Sequence, residues 1–231
     1  MVYPQISIIV PVLNEAAILN NSLARFPFRA DREVILVDGG SQDQTLAQAQ
    51  AFPLKVIQSP QPGRGHQLNY GASVAQAEIL LFLHLDTVLP VDFQDQIEAT
   101  LEQPGVIAGA FRFQVDLPGR RYRCLEHLVN WRSQIWGLPY GDQGLFIQAQ
   151  TFRALGGFAA LPIMEDYEWV QRVKAQGRIA LTQGAILTSG RRWRRLGLLR
   201  TTLINQAMIL GYHAGIAPAR LAQWYRQGLG G

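Results

Sequence analysis

A run of apolar residues, Leu80–Leu85, ends on the carboxylate Asp86 and is interrupted by one polar side chain, His84. Apolar runs of this length are typical of strands covered on both faces. In an open α/β sheet, ligands bind beyond the carboxyl ends of such strands. We therefore expect Asp86 to lie at that edge, with a divalent cation as its partner. The alternative is that Asp86 only caps a helix beginning near Pro90.

The same strand would place His84 beside Asp86, because alternate side chains of a strand point to one face. Mg²⁺ or Mn²⁺ can be held by one protein carboxylate when diphosphate oxygens and water supply the other ligands. A lone histidine beside buried strand residues more often supports a site than ligates a metal, so His84 is the weaker ligand candidate. The four histidines have no zinc-binding spacing, which argues against a catalytic zinc site.

Asp38 ends a second apolar run and is followed by two glycines and Ser41. Glycines let the backbone approach a ligand closely, and a carboxylate there can hydrogen-bond a base or a ribose. Asp-Gly-Gly is also a common turn sequence that needs no ligand.

Arg64 lies in the Pro- and Gly-rich loop 59–65, directly before a predicted helix. A guanidinium beside the free N–H groups of a helix N-terminus favours a phosphate or an electron-rich base edge. The alternative is an exposed loop arginine without a ligand.

Two carboxylates, Glu165 and Asp166, directly precede another predicted helix. The positive end of a helix dipole stabilises negative charge, which suits a general base that must stay ionised and within reach of a hydroxyl. Helix capping is the competing role for Asp166.

Strand-like and helix-like segments alternate along the first two thirds of the chain. The predicted strands are 6–11, 33–38, 55–58, 80–86, 106–113, 145–147 and 179–181. The predicted helices are 14–25, 45–51, 66–75, 92–102, 122–135, 167–176 and a pair within 197–227. This alternation predicts an α/β fold with a mostly parallel central sheet and helices on both faces. We expect one domain over residues 1–190 and a basic, amphipathic helical extension over 191–231.

Composition narrows the class of protein further. Only 16% of the 231 residues are charged, against roughly 25% in typical soluble domains. The formal charge of +4 comes largely from C-terminal arginines. This indicates an anionic partner, whether a diphosphate, a lipid headgroup or a nucleic acid, or a merely solvated basic face. The single cysteine, Cys124, excludes an intrachain disulfide and a cysteine-based zinc cluster.

Several familiar patterns are missing. Residues 11–15 do not contain G-x-G-x-x-G, and the chain has no G-x-x-x-x-G-K-[ST], which argues against a nicotinamide or flavin enzyme and a P-loop NTPase. The first residues lack the pattern of a signal peptide. The segment 196–216 is rich in apolar residues, but it contains too many polar ones for a helix that spans a membrane. We expect a cytoplasmic chain, or one peripheral at the inner face of the membrane.

Six segments together resemble the family-2 glycosyltransferases of the GT-A fold, and in particular the small bacterial branch described as rSAM/selenodomain-associated transferases. The resemblance spans roughly residues 6–181, and the order of its motifs is more specific than any one of them. The matching segments are Ile8–Glu15, Val37–Asp43, Gly63–Ala72, His84–Thr87, Gly141–Gln143 and Met164–Asp166.

This resemblance implies a nucleotide-diphospho-sugar donor, inversion at the anomeric carbon and a divalent cation, Mg²⁺ or Mn²⁺. Asp86 matches the last residue of the family's D-x-D motif, which binds metal, and Asp166 matches the carboxylate taken as the base. His84 replaces the first carboxylate of that motif, which removes a negative charge and is expected to alter metal and ribose contacts.

The resemblance assigns the remaining site positions to the substrates. Pro11, Glu15 and Asp38 resemble nucleoside-pocket residues, and Arg64 resembles the basic residue that contacts base or diphosphate. Asp142 is expected on the floor between donor and acceptor.

The C-terminal part allows more than one interpretation. Arg191 and Trp193 resemble a basic-aromatic element that some family members place over the donor diphosphate. Helices within 197–227 could lie on a membrane, with aromatic side chains such as Trp224 at the interface, and a lipid or isoprenoid acceptor would suit that arrangement. The alternative is packing on the domain or on a second subunit in a homodimer. We expect no nucleic-acid partner.

Two other functions remain in view. A sugar nucleotidyltransferase has a similar sheet and a metal, but it usually carries a Gly-rich basic loop after the first strand, which Pro11–Glu15 lacks. A non-catalytic nucleotide-sugar-binding or membrane-associated scaffold is the other possibility, and the intact Asp38, Asp86 and Asp166 argue against it.

Overall fold

The computed structural model describes residues 4–228. The first three residues of the expected N-terminal domain and the last three of the expected extension, 1–3 and 229–231, lie outside the described residues. The strands of the described part are β1 (Ile6–Val12), β2 (Arg32–Asp38), β3 (Lys55–Gln58), β4 (Ile79–Phe82), β5 (Thr87–Val88), β6 (Val106–Val115), β7 (Leu145–Gln148) and β8 (Arg178–Thr188). The helices are α1 (Ala16–Leu23), α2 (Thr45–Ala49), α3 (Arg64–Val74), α4 (Phe93–Leu101), α5 (Arg120–Trp136), α6 (Ala149–Ala154), α7 (Glu165–Gln176), α8 (Arg191–Leu196), α9 (Leu198–His213) and α10 (Pro218–Gly228), and a 3-10 turn covers Gly141–Gln143.

The first half of the sheet is parallel, with the spatial order β3-β2-β1-β4. A helix between each strand and the next along the chain returns the chain to the edge where the strands begin, as the βα alternation predicts. Their carboxyl ends therefore meet at one edge of the sheet. Val12, Asp38 and Phe82 end β1, β2 and β4 at this edge.

The second half of the sheet, β7-β6-β8-β5, is mixed. Strand β7 runs antiparallel to both β4 and β6, β8 is parallel to β6, and β5 is antiparallel to β8. The α/β class and the helices on both faces are confirmed, and the parallel arrangement is confined to one half and to the β6–β8 pair.

One strand is shorter than predicted. The apolar run does not continue as a strand to Asp86, because β4 ends at Phe82 and the chain turns, with the Thr87 N–H donating to the His84 carbonyl at 3.2 Å. After the turn, Thr87 and Val88 form the short strand β5, which pairs with the end of β8. His84 and Asp86 thus project from a loop at the sheet edge rather than from one face of a strand.

Buried apolar side chains cover both faces of the sheet. On one face, α3, α6 and α7 pack on β1, β2 and β4, and Trp169 of α7 is fully buried against Phe82. On the other face lie α1, α2 and α4. Two smaller clusters hold the extension, one joining α8 to β6 and α5 and the other joining α9 and α10 to the start of α7.

Helix α3 is fastened to the carboxyl ends of two strands by Gln67. The Gln67 Nε2 donates to the carbonyls of Val12 and Val37, each at 2.8 Å, and the side chain is buried. Because Arg64 lies one turn earlier on the same helix, this bridge sets the position of Arg64 over the sheet edge.

Within residues 4–228, no helix has both the length and the apolar character needed to pass through a bilayer.

Candidate functional site

Arg64 joins three elements that are far apart in the chain. It is the first residue of α3, whose preceding Gly63 has a φ of 114°, a conformation that side-chain-bearing residues rarely adopt. The Arg64 Nη2 contacts the Nε2 of His84, and the Arg64 Nε lies 3.5 Å from the Oε1 of Glu165. The guanidinium thus links α3, the loop after β4 and the start of α7.

His84 serves as a partner of Arg64 in this arrangement. Burial, and after it the positive charge of Arg64, lowers the pKa of His84 well below 6.5. The imidazole is therefore neutral at neutral pH. Since a guanidinium can only donate, Nε2 is the acceptor and the ring proton lies on Nδ1.

Asp166 lies in the first turn of α7, next to Glu165, where the helix dipole favours negative charge. Its Oδ2 accepts a hydrogen bond from the Gly141 N–H at 2.7 Å, and its Oδ1 accepts one from the Tyr167 N–H at 2.8 Å. A side chain at residue 141 would place Cβ 2.7 Å from Oδ2, so this contact requires the glycine.

The helix that carries Asp166 begins after a strained residue. Met164 precedes α7 with a φ of 70° and is buried. A left-handed conformation at a residue other than glycine costs on the order of 1–3 kcal/mol and persists where the surroundings enforce it. Here it sets the direction from which the two carboxylates enter the site.

Asp142 projects from the 3-10 turn toward the same place. Burial raises its pKa, an effect opposed by the charge of Arg132. Its Oδ1 is buried and has no hydrogen-bond partner within residues 4–228. Gln143 fixes this turn, because its Oε1 accepts from the Ser133 hydroxyl at 2.8 Å and its Nε2 donates to the Phe111 carbonyl at 3.1 Å.

These polar groups meet in one cavity of about 400 Å³. Arg64, His84, Asp142, Glu165 and Asp166 line it. Other parts of its wall come from the segment before α7 and from α8, α9 and α10. Four of the side chains expected at the site are thus brought together, although their positions span more than 100 residues.

The predicted nucleoside residues lie along the neighbouring stretch of the same edge. The fully buried Asp38 accepts hydrogen bonds at Oδ2 from the N–H groups of Gly40 (2.8 Å) and Ser41 (3.0 Å). Its Oδ1 is buried and has no partner in the described part of the chain, so one acceptor remains for a ligand. Pro11 lies in β1 beside Val37, one residue before Asp38.

Asp86 is paired with an arginine of the extension. The Arg191 Nη2 lies 2.8 Å from Asp86 Oδ2, and its Nη1 lies 3.9 Å from Glu15 Oε2. Burial raises the pKa of Glu15, while Arg191 opposes the rise and Asp86 adds to it. Glu15, Asp86 and Arg191 therefore form a second charged group, after the one around Arg64. The two groups are close in the chain, because His84 and Asp86 are only two residues apart.

A divalent cation fits this second group. The described residues contain no cluster of three or more side chains arranged to hold a metal. The carboxylates of Asp86 and Glu15 are hard oxygen donors, and a guanidinium already neutralises them at that point. Such a site suits Mg²⁺ or Mn²⁺ when diphosphate oxygens complete the ligand shell.

Trp193 packs away from both charged groups. Its ring meets that of Phe113 edge-on, with centroids 5.8 Å apart, and it joins the cluster between β6 and α5. It does not line the 400 Å³ cavity. A contact between Trp193 and a donor stays a prediction.

Sequence reasoning missed Tyr140, Arg192 and Tyr225 of the cavity wall. Arg192 lies over the ring of Tyr225, 4.9 Å from its centroid, and Arg132, outside the lining, lies over the ring of Tyr140, 3.5 Å from its centroid. Glu165 was expected as part of a carboxylate pair, but its pairing with Arg64 was not. No sequence pattern marks these contacts, since each joins elements distant in the chain.

We predict that replacing His84 by glutamine flattens the pH dependence of stability. Below pH 6.5 the unfolded chain binds a proton at His84 that the folded chain excludes, so stability falls as the pH drops. Glutamine still accepts from Arg64 but does not titrate. Urea unfolding at pH 7.5 and 5.5 measures how much the free energy of unfolding falls between the two. This fall should be larger in the native chain than in the variant by up to about 1.4 kcal/mol. The exposed His127→Gln is the control, and equal losses in the native chain and His84→Gln would contradict the assignment.

Comparison with known proteins agrees with this geometry. The family model described as Glycosyl transferase family 2 matches residues 7–162. The glycosyltransferases of PGL/p-HBAD biosynthesis from Mycobacterium bovis and Mycobacterium tuberculosis are 39% identical to the chain over 98 residues, covering 38% of the chain and 38% of their own length. The chain thus spans less than half the length of the curated relatives it matches.

Solved structures share the fold. The mannosyltransferase PcManGT from Pyrobaculum calidifontis, in complex with GDP-Man and Mn²⁺, superposes with a TM-score of 0.65 at 20% identity, over 98% of this chain and 73% of that one. TarS 1–349 from S. aureus gives a TM-score of 0.62 at 21% identity, over 97% and 69%. Membership of the rSAM/selenodomain-associated branch stays a prediction. On the extent of the family match, the chain belongs to Glycosyl transferase family 2.

Proposed function

We propose that this chain is an inverting glycosyltransferase that moves a sugar from a nucleotide-diphospho-sugar to an acceptor hydroxyl with the help of Mg²⁺ or Mn²⁺. The observation that carries the proposal is the meeting of Arg64, Asp142 and Asp166 in one cavity. Asp86 follows two residues after His84 of that cavity and lies with Arg191 in a separate pocket. Structures of the same fold support it, since they include complexes with GDP-Man and Mn²⁺, with UDP-GlcNAc, and with UDP and Mn²⁺.

The donor nucleotide lies along the carboxyl ends of β1 and β2. Pro11 and Glu15 flank the nucleoside, and the free Oδ1 of Asp38 accepts a hydrogen bond from the base or the ribose. Backbone N–H groups of the turn after Asp38 are already held by its Oδ2, so the carboxylate enters the complex in a fixed orientation.

The diphosphate lies between the two charged groups. Arg64 donates to its oxygens from one side, and Arg191 approaches from the other. Asp86 would hold the divalent cation, which supplies positive charge against the diphosphate as it leaves. Preorganised cations in a partly buried site stabilise this developing charge more strongly than water does. His84 keeps Arg64 oriented without adding charge.

Asp166 accepts the proton of the acceptor hydroxyl. The two N–H donors from Gly141 and Tyr167 hold its carboxylate in place while lone pairs on both oxygens remain available. The hydroxyl oxygen then forms the new bond to the anomeric carbon on the face opposite the diphosphate, whose bond to that carbon breaks. Configuration inverts, and no covalent enzyme intermediate forms. Asp142 lies on the floor between the two substrates.

The C-terminal extension carries the proposed membrane contact. Leu199, Leu203 and Leu210 on α9 and Trp224 on α10 are exposed, and arginines of α8 lie beside them in the chain. Apolar side chains flanked by arginine favour an anionic membrane surface. A peripheral position at the inner face would bring the chain to a lipid or isoprenoid acceptor, and a homodimer is the alternative use of this surface.

We expect Asp166→Asn to lose turnover without losing the donor. The amide keeps the shape of the carboxylate but cannot take a proton, so kcat should fall about 100-fold or more. Release of nucleoside diphosphate reports turnover, and calorimetric titration reports donor affinity. Asp95→Asn, an exposed change in the first turn of α4, is the matched control. Unaltered kcat in Asp166→Asn would remove the base assignment.

Arg191→Met should tighten Mn²⁺ binding in the absence of donor. The substitution frees Asp86 and Glu15 from a competing cation, so electron paramagnetic resonance of free Mn²⁺ should show a several-fold lower Kd. Arg220→Met makes the same charge change on α10 and should leave this Kd unchanged. An equal or weaker affinity in Arg191→Met would show that its guanidinium does not occupy the cation's place.

Membrane contact can be tested by flotation with vesicles containing phosphatidylglycerol. The double change Leu199→Glu and Leu203→Glu should abolish flotation, because it places negative charge on the contact surface. Leu128→Glu with Ile135→Glu makes the same charge change on the exposed face of α5 and should float like the native chain. Flotation by the α9 variant, or none by the native chain, would refute the contact.

A further inference from the structure

The cavity that Asp166 lines is also lined by apolar and aromatic side chains. We propose that this space binds the body of the acceptor and that the acceptor is therefore an alcohol with an uncharged, apolar body. The inference rests on the proposed function, because it names the acceptor class for the same site.

The lining of the cavity combines charged and apolar side chains. Besides Asp142 and Asp166, and the polar Asn205, Tyr225 and Arg226 of α9 and α10, it contains five aliphatic or thioether side chains. These side chains are Ile163, Met164, Met208, Ile209 and Ala222. Methionines adapt their shape to an apolar ligand. An acceptor with its hydroxyl at Asp166 must lay the remainder of its body along this wall.

The ring of Tyr167 adds to the apolar lining of the cavity. Tyr167 packs edge-on to Tyr140, with centroids 6.1 Å apart. The Tyr167 hydroxyl is already paired with the Nε2 of His213 at 2.7 Å and accepts from Gln171 at 2.9 Å. Tyr167 therefore presents its ring to the cavity rather than a free hydroxyl.

The charges of the wall favour an uncharged acceptor. Three arginines, Arg64, Arg192 and Arg226, are matched by the carboxylates Asp142, Glu165 and Asp166. Arg192 is engaged within the protein, since its Nη2 donates to Asn205 Oδ1 at 2.8 Å and it lies over Tyr225. Its buried Nε has no partner among residues 4–228, which suits an ether or hydroxyl oxygen.

Size and polarity favour an acceptor with an apolar body over a sugar. A volume of about 400 Å³ lies within the roughly 300–1,000 Å³ of small-molecule sites. A sugar acceptor would leave several hydroxyls facing methionine and isoleucine, and burying an unpaired hydroxyl is unfavourable. A longer isoprenoid alcohol could place its hydroxyl end inside and extend past the exposed Arg226.

The test compares 1-octanol with a charged alcohol of the same chain length and with a sugar. With a nucleotide-sugar donor and Mn²⁺, 1-octanol should raise nucleoside diphosphate release at least tenfold more than 8-hydroxyoctanoate or glucose at the same concentration. Saturation-transfer NMR of 1-octanol with the donor-free protein gives a readout of binding that needs no turnover. A preference for glucose or for the hydroxy acid would overturn the proposal.

Two variants change the apolar wall by different means. Met208→Gln makes it polar at nearly constant volume, and Ala222→Leu fills part of it. Both should lower octanol-dependent release and the NMR signal at least fivefold, with donor affinity and thermal stability as checks on folding. Leu128→Gln, on the exposed face of α5, should change neither readout.

The outcomes separate the two proposals. If the donor binds and is slowly hydrolysed but octanol neither binds nor is preferred, the acceptor class is wrong and sugar transfer stands. If no donor binds, sugar transfer is wrong. In that case the octanol signal and its loss in Met208→Gln still decide whether the cavity takes an apolar alcohol.

Discussion

A partly buried guanidinium, that of Arg64, constrains the arrangement of this site. It contacts His84 and lies 3.5 Å from Glu165, so the start of α3, the loop after β4 and the start of α7 must all be in place before the charge is compensated. An uncompensated charge in such a position is costly. Gln67 fixes α3 to two strand ends, and Arg64 on that helix in turn positions the start of α7 through its ion pair with Glu165. A neutral His84 makes the contact possible, because a protonated imidazole would repel the guanidinium.

The extension beyond residue 190 takes part in the same site. Arg191 of α8 reaches Asp86 and Glu15 on the donor side, while Met208 of α9 and Leu221 of α10 pack against Met164 and Tyr167 at the start of α7. The extension therefore forms part of the cavity wall, and its Arg191 pairs with Asp86 and Glu15 outside that cavity. In the proposed function, donor, cation and acceptor would all meet side chains from it, so changes in these helices are expected to affect both halves of the reaction.

Local patterns predicted the parts of the structure that depend on local sequence. Apolar runs located β1, β2 and β3, and the βα alternation gave their parallel direction and brought Asp38 to the sheet edge. The direction of β7 and the end of β4 at Phe82 depend on pairing with distant strands, which no local pattern encodes. The same holds for the site: Arg191 and Asp86 are 105 positions apart, and only the fold brings them together. The position before a helix pointed to Asp166 and the resemblance added Asp142, but neither indicated the apolar side chains that line the same cavity.

The most direct test of the account is the position of Mn²⁺ and a nucleoside diphosphate in crystals of the chain, with GDP and UDP tried in turn. Anomalous scattering from Mn²⁺ should give a peak beside Asp86, with the diphosphate between that peak and Arg64, the base near Asp38, and Arg191 moved off Asp86. A nucleotide bound elsewhere, or a Mn²⁺ peak remote from Asp86 with Arg191 still in place, would contradict the account.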